Sequence, residues 1–496
     1  MVANTEQVQK IRKKLDFPAH SITGINMNKW FIYMWIHRAR LVLVAAITFI
    51  AIVLLFRIKF EGPFGLFTSS YGRFSETSSF KDVKFTRSID HASASTGVDI
   101  GKSGFVAYMQ HFAWDILANE NEPRENRIRL ITDLIGGLSE FASVEPRVPV
   151  LEECKVPPPL PKEVDCTAFP DGLSGIRRPA PVRIAHMIQF GFEVDVLEIH
   201  LRELYDVVDY FFILESTRAQ YETVIKPLLW EKVRLQARFR PFLDKVVHII
   251  VDDIDSAVGT SADNKNIWYL ERLQERTRFE KFLVWNSKQA KPFTDDDMIG
   301  FGDADEVSDR NNIWLLKHCY PKKPATDIGI WFPVGKLTNA FETDWPVPGH
   351  PYALGDPTFH TLKSALAEKA RGTYPSRNRG KSGAFLLGGM HMTRHRFLPY
   401  MLLESITCSE CGWGDPTFVK KVQTIMMSNA VTEMVRWWDE HHTGRMWLSA
   451  KDEFWMNKTE RDALVKVPWF LKCNPDRYPY WTDGHDTRLD LPAYFN

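Results

Sequence analysis

Net charge is absent from this sequence: 62 Lys and Arg balance 62 Asp and Glu among 496 residues. No bulk field therefore draws the chain to nucleic acid or to an acidic surface. Cysteine is scarce as well. Six Cys cannot staple a chain of this length into a disulfide scaffold, although they suffice for two or three bridges in an oxidising compartment. Long apolar runs are confined to one segment, which excludes a multi-span membrane protein. No internal repeat is visible at roughly 20–50 residues, so solenoids and propellers are excluded too. At 44% hydrophobic and 25% charged the chain is ordinary for a globular protein, and wholesale disorder is ruled out. Aromatic residues are abundant instead, at 13% with 16 Trp. The length exceeds the roughly 100–200 residues of one domain, which predicts a large domain with an appendage, or two domains.

The single apolar run, Leu41 to Phe56, contains no charge. As a helix it would reach about 24 Å, within snorkelling distance of a ~30 Å hydrocarbon core given His37, Arg38 and Arg40 before it and Arg57 and Lys59 after it. Lys10, Arg12, Lys13, Lys14 and Lys29 add to the positive excess on its N-terminal side, which predicts a cytoplasmic N-terminus. The expected layout is a tail at 1–40, a transmembrane signal-anchor at 41–58, a stem and Pro-rich linker with short helices at 59–181, and a lumenal domain at 182–496. Golgi or ER membrane, single-pass type II, is the expected location. In the linker, Cys154 and Cys166 are close enough in sequence to close a short loop on one another.

From Arg183 the texture becomes regular. RIAHMIQFG, VVDYFFILES (207–216), KVVHIIVDD (245–253), MIGFGDADE (298–306) and IGIWFPV (328–334) read as buried strands. Between them Val194, Leu197, Leu201 and Leu204 mark a helix with one buried face, and Ile267, Leu270 and Leu273 stripe a longer one. Apolar strands alternating with helices predict an α/β domain with a mainly parallel sheet. Ligands of such sheets sit beyond the carboxyl ends of the strands, which here means Gly191 to Asp195, Glu215-Ser216, Asp252-Asp253 and Asp303 to Glu306.

Asp303-Ala304-Asp305-Glu306 carries the strongest chemical signal. In an extended segment residues i and i+2 point the same way, so Asp303 and Asp305 are expected to offer two carboxylates to one hard cation, Mn²⁺ or Mg²⁺. Two carboxylates leave most of an octahedral shell for water and diphosphate oxygens. Glu306 would then point elsewhere. The competing reading is a loop whose Ser308 or Asp309 caps the next helix.

The order RIAHMIQFGFEVDVLEIHLRELYDVVDYFFILES, then GDADEV, then GGMH, resembles glycosyltransferase family 17, whose members transfer GlcNAc in β-1,4 linkage to a mannose of an N-glycan. The likeness runs from about Arg183 to the C-terminus, including RYPYWTDGHDTRLDLPAYF. It implies a GT-A-like fold, UDP-GlcNAc as donor, a divalent cation, an N-glycan or glycoprotein acceptor and inversion at the anomeric carbon. It also implies Asp303 and Asp305 as the metal and donor site, a donor role near Glu215 and the 193–204 helix with Asp195, and His391 as a pocket residue. Met392 follows His391 where the family has a Cys.

An inverting transfer needs a base for the acceptor hydroxyl and cationic groups for the leaving diphosphate. Asp415, Glu404, Glu306 and His391 are the candidate bases, with Asp415 favoured by its Gly-Trp-Gly-Asp loop. Arg371, Arg377, Arg379 and Lys381 lie in a loop that would fold over a diphosphate. Trp345 and Trp413 are the better sugar platforms among the Trp residues, which also include Trp331, Trp437 and Trp438. Cys408-x-x-Cys411 lacks further ligands at zinc spacing, and Asn457 opens the one glycosylation sequon. Two other functions stay open: a transferase of the same fold with another nucleotide sugar or acceptor, and a catalytically inactive, membrane-anchored carbohydrate-binding protein.

Overall fold

The computed structural model describes residues 104–220, 224–252, 269–334, 336–341, 343, 345–393, 397–407, 419–420, 422–424, 447–449 and 458–481. The expected anchor, Asp415, the Cys408 and Cys411 pair, Trp413, Trp437, Trp438 and Asn457 lie outside these residues. Among the described residues no helix is long and apolar enough to cross a membrane.

Three helices come first: α1 (Phe105–His111), α2 (Trp114–Leu117) and α3 (Arg124–Ser143). The chain then alternates through β1 (Leu173–Arg177), β2 (Ile184–Gln189), α4 (Val194–Leu204), β3 (Tyr210–Ser216), α5 (Leu229–Val233), β4 (Val246–Val251), α6 (Tyr269–Asn286) and β5 (Met298–Asp303). After a tight turn follow β6 (Glu306–Ser308), α7 (Arg310–His318), β7 (Cys319–Pro321), β8 (Ala325–Trp331), β9 (Pro333–Val334) and β10 (Lys336–Phe341). The remainder is β11 (Pro346–Val347), β12 (His350–Thr361), α8 (Leu362–Ala370), β13 (Phe385–His391), α9 (Leu398–Thr407), β14 (Trp447–Ser449), α10 (Lys458–Leu464) and α11 (Trp469–Cys473).

The main sheet runs β4-β3-β2-β5-β12-β8-β13-β6. Its first four strands are parallel, as their unbroken apolar texture predicts for strands covered on both faces. Beyond β5 the sheet is mixed: β12 runs antiparallel to both β5 and β8, and β13 is parallel to β8. One face carries Phe279 and Phe282 of α6 with Leu362 and Ala365 of α8. The other packs on α3, α4, α7 and α9, so residues of α1 to α3 such as Phe105, Leu134 and Phe141 share a core with the sheet.

Two expectations are corrected. Cys154 and Cys166 do not pair with each other; Cys154 bonds Cys473 and Cys166 bonds Cys319, which ties the Pro-rich segment to the body at two points. The helix α4 is buried all round rather than on one face, because α7 and the 469–481 segment cover its polar side. Its charges survive burial by pairing: Arg238 reaches Asp195 at 2.7 Å and Arg477 reaches Glu198 at 3.0 Å.

Candidate active site

A cleft with about 200 Å³ of interior space opens at the carboxyl ends of β2, β3 and β5. That is where a parallel sheet leaves room for a ligand. Asp303, Asp305, Glu193, Ser216 and Lys226 line it, and Thr393, Glu404 and Thr407 border it from β13's following loop and from α9.

Asp303 ends β5, and residues 304–305 form a turn before β6. The two carboxylates therefore reach the cleft across a turn, not along the extended strand that i, i+2 spacing suggests. Three neighbours fix this turn. Ala304 N–H donates to Gln189 O at 2.9 Å, Met392 N–H donates to Asp305 O at 2.6 Å, and His200 Nδ1 lies 2.8 Å from Ala304 O. A carbonyl only accepts, so His200 carries its proton on Nδ1. Its Nε2 then accepts from His186 Nδ1 at 3.3 Å. Burial holds His200 down at about 4, and lowers His186 as well, so both rings are neutral.

Glu306 folds back instead of pointing away. Its Oε2 accepts from Asp303 N–H at 2.9 Å, which is sterically open because residue 302 is Gly: a Cβ there would sit 2.7 Å from Pro357 Cβ and 3.0 Å from that same Oε2. Burial, with Asp356 nearby, raises its carboxyl well above the usual range. Glu306 is thus an interior brace, and no part of the cleft wall.

Arg377 supplies the counter-charge. Its Nη1 lies 2.5 Å from Asp303 Oδ2 and 3.1 Å from Glu306 Oε1, and its Nη2 lies 2.6 Å from Glu271 Oε1. The chain turns it inward through left-handed backbone at Arg379 (φ 51°) and Gly380 (φ 74°). Arg379 joins Glu271 at 3.0 Å and stacks its guanidinium 4.1 Å over the exposed Trp345 ring. The basic loop is therefore half committed to acids of the fold; Lys381 and Arg371 stay exposed.

His391 ends β13 beside the cleft, with Nδ1 3.9 Å from Asp305 Oδ2 and its ring 4.4 Å from that of Phe332. Two other expected residues separate. Glu215 points to the opposite face from Ser216, where it accepts from Trp230 N–H and meets His248 at 2.9 Å. Asp195 is fully buried against Arg238 and the Tyr480 hydroxyl. The favoured Asp415 lies outside the described residues. Trp331 is core.

Of two further cleft residues, Glu193 lies inside the Gly191 to Asp195 stretch that the strand-end reading marks, and Lys226 lies outside every stretch it marks. Glu193, the first acid of the E-x-D stretch, is pushed up to about 7 by burial and then by Asp305. Lys226 is buried with Nζ 3.3 Å from Gly191 O and 4.7 Å from the Phe192 ring, and burial lowers its pKa. No motif surrounds it, so only the fold reveals it.

A divalent cation fits this donor set. Asp303 Oδ1 is buried with no hydrogen-bond partner, and Asp305 is pushed up to about 7 by burial and by the Asp303 charge. An unpartnered carboxylate oxygen and a destabilised carboxylate charge are both compatible with a cation held between the two side chains. Among the described residues no group of three or more His, Cys, Asp or Glu side chains converges to hold one. Two hard oxygen ligands suit Mn²⁺ or Mg²⁺ that keeps water and phosphate oxygens in its remaining positions.

The sequence pattern described as Glycosyltransferase family 17 matches residues 172–326. Over 161 residues the chain is 27% identical to the proteins named β-1,4-mannosyl-glycoprotein 4-β-N-acetylglucosaminyltransferase of Rattus norvegicus, Homo sapiens and Mus musculus. The aligned part is 32% of this chain and 28% of each relative, so the chain spans little more than a quarter of the curated relatives it matches. The matched region contains Glu193, Ser216, Lys226, Asp303 and Asp305; Thr393, Glu404 and Thr407 fall beyond it.

Proposed function

We propose that this chain, whose residues 172–326 match the glycosyltransferase family 17 pattern, is a metal-dependent, inverting N-acetylglucosaminyltransferase. It moves GlcNAc from UDP-GlcNAc to a mannose of an N-glycan, in β-1,4 linkage, on a GT-A-like fold. The observation that carries this reading is the pair Asp303 and Asp305 in one cleft at the strand ends, with an unpartnered oxygen on Asp303.

Asp303 and Asp305 would hold the cation, which when bound neutralises diphosphate oxygens as charge builds on them. Lys226 adds a buried positive charge on the same wall and stabilises the departing diphosphate. Glu404 on α9 also lines the cleft, and we assign it as the general base. The acceptor oxygen bonds to the anomeric carbon as the carbon–phosphate oxygen bond breaks. UDP leaves with that electron pair, and the hydroxyl proton passes to the Glu404 carboxylate. Glu193 is the second candidate, since burial keeps it near neutrality. The membrane anchor and a Golgi or ER location belong to the same proposal and rest on the apolar run before residue 57.

Another observation favours a second reading, a carbohydrate-binding protein without catalysis: Arg377 already occupies Asp303 Oδ2. Full-length chain in detergent separates the two. Release of UDP from UDP-GlcNAc in the presence of an N-glycan should require Mn²⁺ or Mg²⁺ and vanish in Asp305→Ala while the unfolding transition is retained. Glycan binding that is indifferent to EDTA and to Asp305→Ala, with no UDP release, would select the binder. Release from a different nucleotide sugar alone would change the donor.

A further inference from the structure

A second cleft lies at the other end of α4. That helix has 11 residues and so extends about 16 Å; Glu193 at its start faces the first cleft and Glu203 near its end lines the second. The second cleft holds about 570 Å³, inside the roughly 300–1,000 Å³ typical of small-molecule sites. It is bounded by Pro158 and Pro159, Leu471, Trp469, Lys466, Lys472 and Arg310.

Its apolar wall is rigid. Trp469 N–H donates to Glu203 Oε2 at 2.7 Å and its indole Nε1–H donates to Arg202 O at 3.3 Å, so a half-exposed indole is held in one orientation. The Cys154–Cys473 bridge anchors the end of α11, and Pro158 lends its carbonyl to an Arg310 Nη. Flat, fixed aromatic and proline faces suit the C–H face of a pyranose ring.

Its polar wall is positive. Among the described residues the Lys466 and Lys472 ammonium groups form no ion pair or hydrogen bond. Arg310 is 5% exposed; its Nη groups engage Pro158 O and Asp206, while Nε is buried without a partner. Arg310 is paired with Asp206, so the uncompensated positive charge of this cleft is that of Lys466 and Lys472. Asp309 Oδ1 accepts from Asn311 N–H as the N-cap of α7. Glu203 accepts two backbone N–H groups, one on each carboxyl oxygen, and burial pushes it up to about 8.

We propose that this second cleft binds a carboxylated sugar, of the sialic acid type, with Trp469 under the ring and Lys466 and Lys472 on the carboxylate. The cleft is separate from the strand-end site and does not depend on the transferase reading. It would give the protein a second grip on acidic glycans.

Full-length protein is tested by saturation-transfer NMR and calorimetry against sialyllactose, lactose and inorganic phosphate. Sialyllactose should bind with a Kd of about 1 mM or tighter, and lactose roughly tenfold or more weakly. The double variant Lys466→Glu, Lys472→Glu should lose roughly tenfold or more in sialyllactose affinity, with its melting temperature and its UDP release unchanged. Absence of saturation transfer to sialyllactose overturns the proposal, as does equal binding of lactose, binding unaffected by the lysine changes, or phosphate bound as tightly as sialyllactose. Loss of UDP release with sialyllactose binding intact would fault the transferase reading alone.

Discussion

His200 and Ala304 are joined by a 2.8 Å hydrogen bond from an interior imidazole to the carbonyl between the two cleft aspartates. His186 continues the line at 3.3 Å, so a pair of neutral rings braces the turn from beneath. His200→Phe removes the donor and should weaken Mn²⁺ binding by roughly 10–100-fold, the usual effect of losing a group that orients a ligand. His200→Asn places an amide N–H near the Nδ1 position and should recover most of it. Calorimetric titration with Mn²⁺ decides this; wild-type affinity in the Phe variant would mean the brace is irrelevant to the aspartates.

Arg377 is the only cation bonded to Asp303 and Glu306 among the described residues. Arg377→Ala removes the one guanidinium bonded to Asp303 and Glu306 and leaves Glu271 to Arg379 alone. The expected cost is about 3–5 kcal/mol in urea unfolding, as for other broken buried pairs. Arg377→Lys should recover only part, because one ammonium cannot reach acids on several sides as a fork does. A change under ~1 kcal/mol in Arg377→Ala would show that the acids are solvated or protonated without it.

Glu203 gives a pH dependence with an unusual sign. Its carboxyl rises from 4.5 to about 8 in the fold, chiefly by burial and then by Asp309, against the opposing pull of Arg310 and two N–H donors. The folded state holds the proton more tightly than the unfolded chain does. Its stabilisation is therefore complete below pH 4.5 and is lost as pH rises through 8. Glu203→Gln should flatten the stability–pH profile between those limits by up to about 1.4 kcal/mol per pH unit. Parallel profiles for the two proteins in chemical denaturation would refute the assignment.

The two disulfides should act as independent clamps on the Pro-rich segment. Replacing Cys166 and Cys319 together by Ser, or Cys154 and Cys473 together, should each lower stability by about 2–5 kcal/mol. Only the second pair should also increase proteolysis near Pro158, because that bridge holds the segment against α11. Limited proteolysis with mass spectrometry reads the difference.

The sheet's parallel half was legible because β2, β3, β4 and β5 are near-continuous apolar runs, a texture that only a doubly covered strand requires. The same reasoning pointed to the strand ends and so to Asp303 and Asp305. Within the marked stretches Gly191 to Asp195 and Glu215-Ser216 it did not say which side chain meets the cleft: Glu193 and Ser216 line it, whereas Asp195 and Glu215 are buried elsewhere. One residue's difference along a strand or helix start reverses which side a group faces, and the apolar pattern does not record that for polar residues at an element's end.

By itself the sequence determined the α/β class, the order of its parallel strands along the chain and the two aspartates at a strand's end, since each follows from local periodicity or from adjacent residues. Tertiary structure alone decided the partners of Cys154 and Cys166, the inward turn of Arg377 onto Asp303, and the arrival of Lys226 and Glu404 at the same cleft. The physical reason is range. Periodicity acts over a few residues, whereas a buried charge selects whatever counter-charge the folded chain brings within reach, however distant in sequence.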